Sequence, residues 1–265
     1  MNDVVEPFQA ATAVRSLGDG TFVTNLHPAW AVGERPHGGY LLAVLAQATT
    51  ELTGLDPLAV SAQFLRPPRV GPVLIRTEVV KTGRTATVVR AALEQRGQVC
   101  VDTTTTLGKP SVDEVAWLDV PDMPATPPSD AIDLGGGDAR KLFALAEVCD
   151  VRLDPEQAAF LNGERGEPRL RLWAKPRGGQ PDLLFSLVAG DITVPVTYNL
   201  GHYGWTPTVQ LTALLRAVPS DGWLRVVAES KFVQGTWFDE DATVVDSAGR
   251  IVCQARQLAL IPKTS

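Results

Sequence analysis

The chain has 265 residues, 45% of them hydrophobic and 20% charged, which is enough apolar material to bury a large core as one broad domain or two intimate ones. A formal net charge of −6 and a pI near 5.1 argue against a nucleic-acid surface, which needs a basic patch to displace counterions from phosphates, but leave room for local basic spots facing a phosphorylated ligand. The start, Met-Asn-Asp-Val-Val-Glu, lacks the basic-then-apolar layout of a signal peptide, and no run approaches the roughly 18 apolar residues of a membrane helix, so a cytoplasmic protein with no membrane partner is expected.

In chain order, Thr12 to Leu17 and Phe22 to Leu26 read as a hairpin, because Asp19-Gly20 supplies the positive φ angles of a tight two-residue turn. Gly33-Glu-Arg-Pro-His-Gly-Gly-Tyr leads into Leu41 to Leu52, a stretch without Pro or Gly. Leu41, Leu45, Ala48 and Leu52 recur there at three-to-four spacing, which predicts a largely buried helix. Val73, Ile75, Thr77 and Val79 share one strand parity. Val88 to Leu93 and Val99 to Leu107 complete an antiparallel meander around Gly83 and Gly97.

From Lys109 to about Arg140 the composition shifts to Pro, Asp and Gly, with Pro124, Pro127, Pro128 and the run Gly135-Gly-Gly, and reads as a linker. The pattern then restarts. Glu147 to Leu153 and Arg169 to Ala174 read as a hairpin and Pro181 to Asp191 as a helix, with further strands from Thr208, Trp223, Trp237 and Ile251. The helix is expected to end near Asp191, since Pro195 removes a backbone donor and disfavours helix at Val194.

The restart is a repeat. Gly83 and Gly97 lie 14 residues apart, as do Gly235 and Gly249, in similar strand-like text, and Cys100 and Cys253 are expected at matching places. Two copies are too few for a solenoid, which needs about three units to bury a continuous core. Element order therefore predicts an α+β double hotdog: two fused units, 1–108 and 143–265, each a long antiparallel sheet around a central helix, joined by 109–142. The three cysteines, Cys100, Cys149 and Cys253, contain no Cys-x-x-Cys pair and are expected in the core, with no metal or cofactor implied.

Fusion frees each copy to change separately, so a polar group present in only one copy is a candidate for function. Asp191 is four residues beyond Leu187 and eight beyond Leu183, which on a helix places it on the apolar face turned to the sheet, whereas copy one offers Gln47 or Ala48. A carboxylate there is costly to bury without partners or a use. Gln257 shares strand parity with Ile251, Cys253, Ala255, Ala259 and Ile261, where copy one has Thr105. Thr208, after Gly204-Trp-Thr-Pro, is the third such position, against a place near Leu58 in copy one.

Across nearly its whole length the chain resembles the bacterial acyl-CoA thioesterase II family of double-hotdog enzymes, through His37-Gly-Gly-Tyr, the Gly-Arg turn at Gly83, Gly222-Trp-Leu and Gly249-Arg-Ile-Val-Cys-Gln-Ala-Arg-Gln. That family holds a water molecule with an Asp, a Thr and a Gln from its second unit, and the resemblance places these on Asp191, Thr208 and Gln257. It implies hydrolysis of acyl-CoA to free fatty acid and CoA. Trp205-Thr-Pro-Thr-Val-Gln lacks the acidic and His residues that some relatives carry after the Thr, which bears on substrate choice.

No Gly-x-Ser-x-Gly elbow occurs, so water is the expected nucleophile, polarised by Asp191 and oriented by Thr208 and Gln257. The Gly38 and Gly39 amides are candidate oxyanion donors or ligand contacts at a helix N-terminus, or else simply permit close packing. His37 is a candidate ligand neighbour. Arg66 and Arg84, with Arg69, are candidates for CoA phosphates. The alternatives are a dehydratase or hydratase on the same fold, for which the His-x-x-x-Gly-x-x-x-x-Pro layout is missing, and a non-catalytic acyl-CoA binder. A homodimer of double hotdogs is compatible with the way such units pair their sheets.

Overall fold

The structure, a computed structural model, describes residues 7–137, 143 and 145–262. Pro7 opens a short helix, α1 (Phe8–Thr12), and the Thr12 hydroxyl donates to the Phe8 carbonyl at 3.0 Å, so the first strand starts later than Thr12. Strands β1 (Arg15–Gly18) and β2 (Thr21–Leu26) are joined as expected through Asp19 and Gly20, at φ 52° and 70°. A small ladder, β3 (Ala31–Val32) with β4 (Arg35–Pro36), leads into α2 (Gly38–Thr53), which starts three residues before Leu41 and stops at Gly54, φ 69°.

Next comes β5 (Asp56–Phe64), a strand absent from the sequence reading. Asp-Pro at its start and small residues within it give little strand signal. Pro57 lies outside the stretch Ala59–Gln63 that pairs with the other half, so its missing N–H leaves that ladder intact. Strands β6 (Gly71–Lys81), β7 (Thr87–Gln95) and β8 (Gln98–Gly108) form the expected meander. The second half runs β9 (Ile132–Asp133), β10 (Cys149–Leu153), β11 (Arg169–Pro176), α3 (Phe185–Ala189), β12 (Thr208–Leu215), β13 (Leu224–Glu229), β14 (Val233–Gln234), β15 (Trp237–Val245) and β16 (Ile251–Leu260).

All strands but the β3–β4 ladder belong to one sheet ordered β1-β2-β6-β7-β8-β5-β12-β16-β15-β13-β11-β10-β9, with β14 beside β15. The order is the same read outward from the central β5–β12 pair in either direction, β9 and β14 aside, as a fused pseudo-dimer requires. The pseudo-twofold passes between Ser61 and Thr212, the middle pair of that ladder, whose hydroxyls meet at 2.9 Å. Register breaks at Leu58 in β5 and Val209 in β12 fall at matching places, three residues from this pair.

Counting from it equates Thr208 with Pro57, Gln257 with Thr105, and Glu240 with Val89. Cys253 falls on Val101, one residue away from the Cys100 that the sequence suggested. All three cysteines are free and buried.

Helices α2 and α3 pack against each other and against the strands of their own halves. The aromatic group Phe8, Trp30, Tyr40 and Phe185 joins the halves beneath the start of α2, with Trp30 stacked on Tyr40 at 5.6 Å and Phe8 edge-on to Phe185 at 5.4 Å. The two halves share one buried apolar cluster. The Pro-rich stretch is more than a spacer, because Met123 packs with Trp173 and Val227 on the sheet face opposite the helices, and the Trp173 indole donates to the Pro124 carbonyl at 2.8 Å. No helix among the described residues is long and apolar enough to cross a membrane.

Candidate active site

The two halves differ most after their helices. In the first, Gly54-Leu55 connects α2 directly to β5; in the second, residues 190–207 separate α3 from β12. Gly190 and the run Ile192-Thr-Val-Pro disfavour continued helix, so α3 stops at Ala189. Asp191 therefore sits in the turn beyond the helix, its N–H bonded to the Val188 carbonyl at 3.0 Å, and it does not share a sheet-facing helical stripe with Leu183 and Leu187.

The Asp191 carboxylate is aimed at the N-terminus of α2. Its Oδ2 accepts the Gly39 N–H at 2.7 Å and lies 3.6 Å from His37 Nε2, while His37 Nε2 donates to the Asp191 carbonyl at 2.8 Å. A Cβ on Gly38 would lie 2.6 Å from Asp191 Oδ2, and one on Gly39 would lie 2.6 Å from the Leu187 carbonyl oxygen. Both glycines thus permit close approach, and the positive end of α2 meets the carboxylate. Burial pushes the Asp191 carboxyl above its ordinary range, opposed by His37 and by the Gly39 N–H.

Thr208 and Gln257 come together from β12 and β16, with the Thr208 hydroxyl donating to Gln257 Oε1 at 2.6 Å. Sequence reasoning missed the next member, Glu240 on β15, directly across from Gln257. It is 3% exposed and accepts from Gln257 Nε2 at 3.0 Å, from the Thr193 hydroxyl at 3.0 Å and from the Val196 N–H at 3.3 Å. Burial pushes its carboxyl up to about 7, with the Asp191 charge adding to the rise and the three donors opposing it. The signal was present, since Glu240 interrupts the parity of Phe238, Ala242 and Val244 and its first-half counterpart is the apolar Val89.

Asp191, Thr208, Gln257 and Glu240 line one cavity of about 570 Å³, together with His37, Gly38 and Arg66. Apolar walls come from Leu41, Phe64, Phe238 and Ala259, and Arg35 stacks over Trp205 at 4.6 Å on the same lining. Gly39 is not on the lining, and its amide is committed to Asp191, which corrects its assignment as a free donor. Arg84 is also off the lining, exposed on the β6–β7 connection, because the meander carries that turn beyond the cavity wall. Arg69 is exposed and pairs with Glu34 at 3.3 Å.

This fold, with polar groups of the second half converging on a cavity walled by both halves, defines a double-hotdog protein with a candidate site in its second half. Residues 26–108 match the family described as acyl-CoA thioesterase N-terminal domain, and residues 119–261 match the acyl-CoA thioesterase C-terminal domain. The chain belongs to this acyl-CoA thioesterase family. It is 37% identical to the uncharacterized protein Rv0499 of Mycobacterium tuberculosis, over 96% of this chain and 98% of that one. Among solved structures, it resembles a candidate thioesterase II from Thermobifida fusca, with 29% identity, a TM-score of 0.88 and 97% of each chain covered. A conserved hot dog fold protein from Alicyclobacillus acidocaldarius, at 23% identity and a TM-score of 0.85 over 99% of this chain and 100% of that one, shares the fold.

Proposed function

We propose that this protein hydrolyses acyl-CoA thioesters to free fatty acid and CoA, using a water molecule held by Asp191, Thr208 and Gln257. The carrying observation is that these three groups, each from a different element of the second half, line one cavity with apolar walls. Asp191 Oδ2 is occupied by Gly39, and Oδ1 makes no hydrogen bond among the described residues, which leaves it to take the proton of the water. A carboxyl raised by burial is closer to the range of an effective base at neutral pH than an exposed one.

In this reading the water oxygen attacks the thioester carbonyl carbon as its proton passes to Asp191. The Gly38 N–H, at the positive end of α2, faces the oxyanion that forms. Collapse breaks the C–S bond, and the proton on Asp191 goes to the departing CoA thiolate, leaving the carboxylic acid. Arg66 is assigned to the phosphate-bearing part of the ligand. Residues 1–108 act as one unit and 143–265 as the body of the other, to which the 109–142 stretch adds β9 and the cover of the outer sheet face.

Release of free thiol from a series of acyl-CoA substrates, acetyl to palmitoyl, tests the proposal. Thiol release by the wild type supports it. Binding without release marks a non-catalytic binder, and a change in enoyl absorbance without thiol marks a dehydratase or hydratase; either result refutes hydrolysis.

A further inference from the structure

One buried charge on the cavity, Glu240, has no part in the reaction as written. We infer that Glu240 is a positioning residue that sets the direction of the Glu240–Gln257–Thr208 hydrogen-bond relay and so turns the lone pairs of Thr208, rather than its proton, toward the water. The inference rests on the hydrolytic reading and deepens it.

The direction follows from what each group is able to offer. Where it is ionised, above a pH of about 7, the Glu240 carboxylate only accepts, so Gln257 turns Nε2 to Glu240, at 3.0 Å, and is left with Oε1 toward Thr208. The Thr208 hydroxyl then commits its single proton to Oε1, at 2.6 Å. A water held there gives one proton to Asp191 and one to Thr208 and keeps two lone pairs, one for the second Nε2 proton of Gln257 and one for the thioester carbon. With the relay reversed, Thr208 donates to the water, takes one of its two lone pairs and makes the oxygen a weaker nucleophile. Glu240 is itself held by the Thr193 hydroxyl and the Val196 N–H of the 190–207 segment, so the second half's long connection fixes the orientation of its own site. Val89 stands at the equivalent place in the first half, where Thr105 and Pro57 replace Gln257 and Thr208 and no relay exists.

Glu240→Gln separates this role from mere filling of space. A glutamine satisfies its neighbours best by turning its amide N–H to Gln257, which flips Gln257 and reverses Thr208 with every group still bonded. The expected result, for the saturated acyl-CoA turned over fastest by the wild type, is a kcat about 10-fold lower or less, with KM within about 2-fold and the melting temperature not lowered. The swapped pair Glu240→Gln with Gln257→Glu restores a carboxylate beside Thr208 and recovers part of kcat. The titratable and charged groups that share the cavity, Asp191, His37, Arg35, Arg66 and Tyr198, are unchanged in both variants.

Wild-type kcat in Glu240→Gln, while Asp191→Asn is inactive, overturns the inference and leaves the hydrolytic reading standing. A parallel loss of kcat and melting temperature with no recovery in the swapped pair assigns Glu240 a structural role and also overturns it. Independently of turnover, the side-chain amide protons of Gln257 should exchange slowly in the wild type and faster in Glu240→Gln by NMR; equal rates contradict the relay.

Discussion

At the scale of single residues, two buried carboxyl groups face one cavity, and their environments divide the work. Asp191 is set against the N-terminus of α2 by the Gly39 N–H and keeps one oxygen unbonded among the described residues, whereas Glu240 accepts from three donors. Asp191→Asn removes the base and should lower kcat by a factor on the order of 100 or more in thiol-release kinetics. Glu240 also makes stability depend on pH. Its ordinary value is 4.5 and the folded value is about 7, so between them the folded chain binds more protons than the unfolded one and stability falls as pH rises. Asp191, also raised, contributes in the same direction. Denaturant melts across that window should show the wild type losing stability toward neutral pH and Glu240→Gln losing less. Parallel curves contradict the buried-carboxylate account. The asymmetry between copies singled out Asp191, Thr208 and Gln257 in the sequence, and all three line one cavity. The same rule applied to strand parity around Phe238 would have added Glu240, but the dense acidic run Asp239-Glu-Asp reads as a solvated edge until the register shows which member turns inward.

At the scale of elements, the site depends on two helix ends meeting where side chains are absent. A methyl group on Gly39 would press on the backbone of Leu187 and Val188, at 2.6 and 2.8 Å, and the backbone has no rotamer with which to yield. Gly39→Ala should therefore cost about 1–3 kcal/mol in denaturant unfolding, the usual scale of an overpacked core. On Gly38 the clash is with the Asp191 carboxylate itself, so Gly38→Ala should depress kcat far more than stability. Equal effects in the two variants would argue against this division. Helix α2 was legible because its apolar residues recur over four turns, and the meander β6 to β8 because parity and glycine turns agree. The five-residue α3 was overestimated, since Leu183 and Leu187 keep helical spacing although the segment Pro181–Leu184 does not close into helix. Strand β5 was missed because its identity as a strand comes from pairing on both sides, with β8 and β12, and not from its own composition.

At the scale of the whole molecule, duplication supplies two equivalent sets of strands around a helix, and divergence equips one of them with the polar groups of the cavity. The pseudo-twofold through Ser61 and Thr212 keeps the sheet continuous, and the long second connection, 190–207, carries Asp191 and Thr193 to the cavity and the Val196 N–H to Glu240. On the opposite sheet face the Pro-rich stretch is fastened by Trp173 to Pro124 and by Arg225 to the Met123 carbonyl at 2.9 Å. Trp173→Phe should cost about 1 kcal/mol of stability without changing kcat, since a single hydrogen bond is lost on the face away from the cavity. The repeat was legible from glycine spacing within similar strand-like text, but the covering role of the Pro-rich stretch was not, because a chain of prolines and acids looks the same whether it lies on a sheet or in solvent.

The central claim is that oxygen reaches the acyl carbon directly from water and never passes through the enzyme. One turnover in water enriched in oxygen-18, with enzyme in excess over acyl-CoA, tests it by mass spectrometry of both products and protein. Direct attack predicts one heavy oxygen in the fatty acid formed in that first turnover and none in the protein. An unlabelled first-turnover acid, with the heavy oxygen recovered in the peptide containing Asp191, would instead establish an acyl anhydride on that carboxylate and contradict the water-based mechanism.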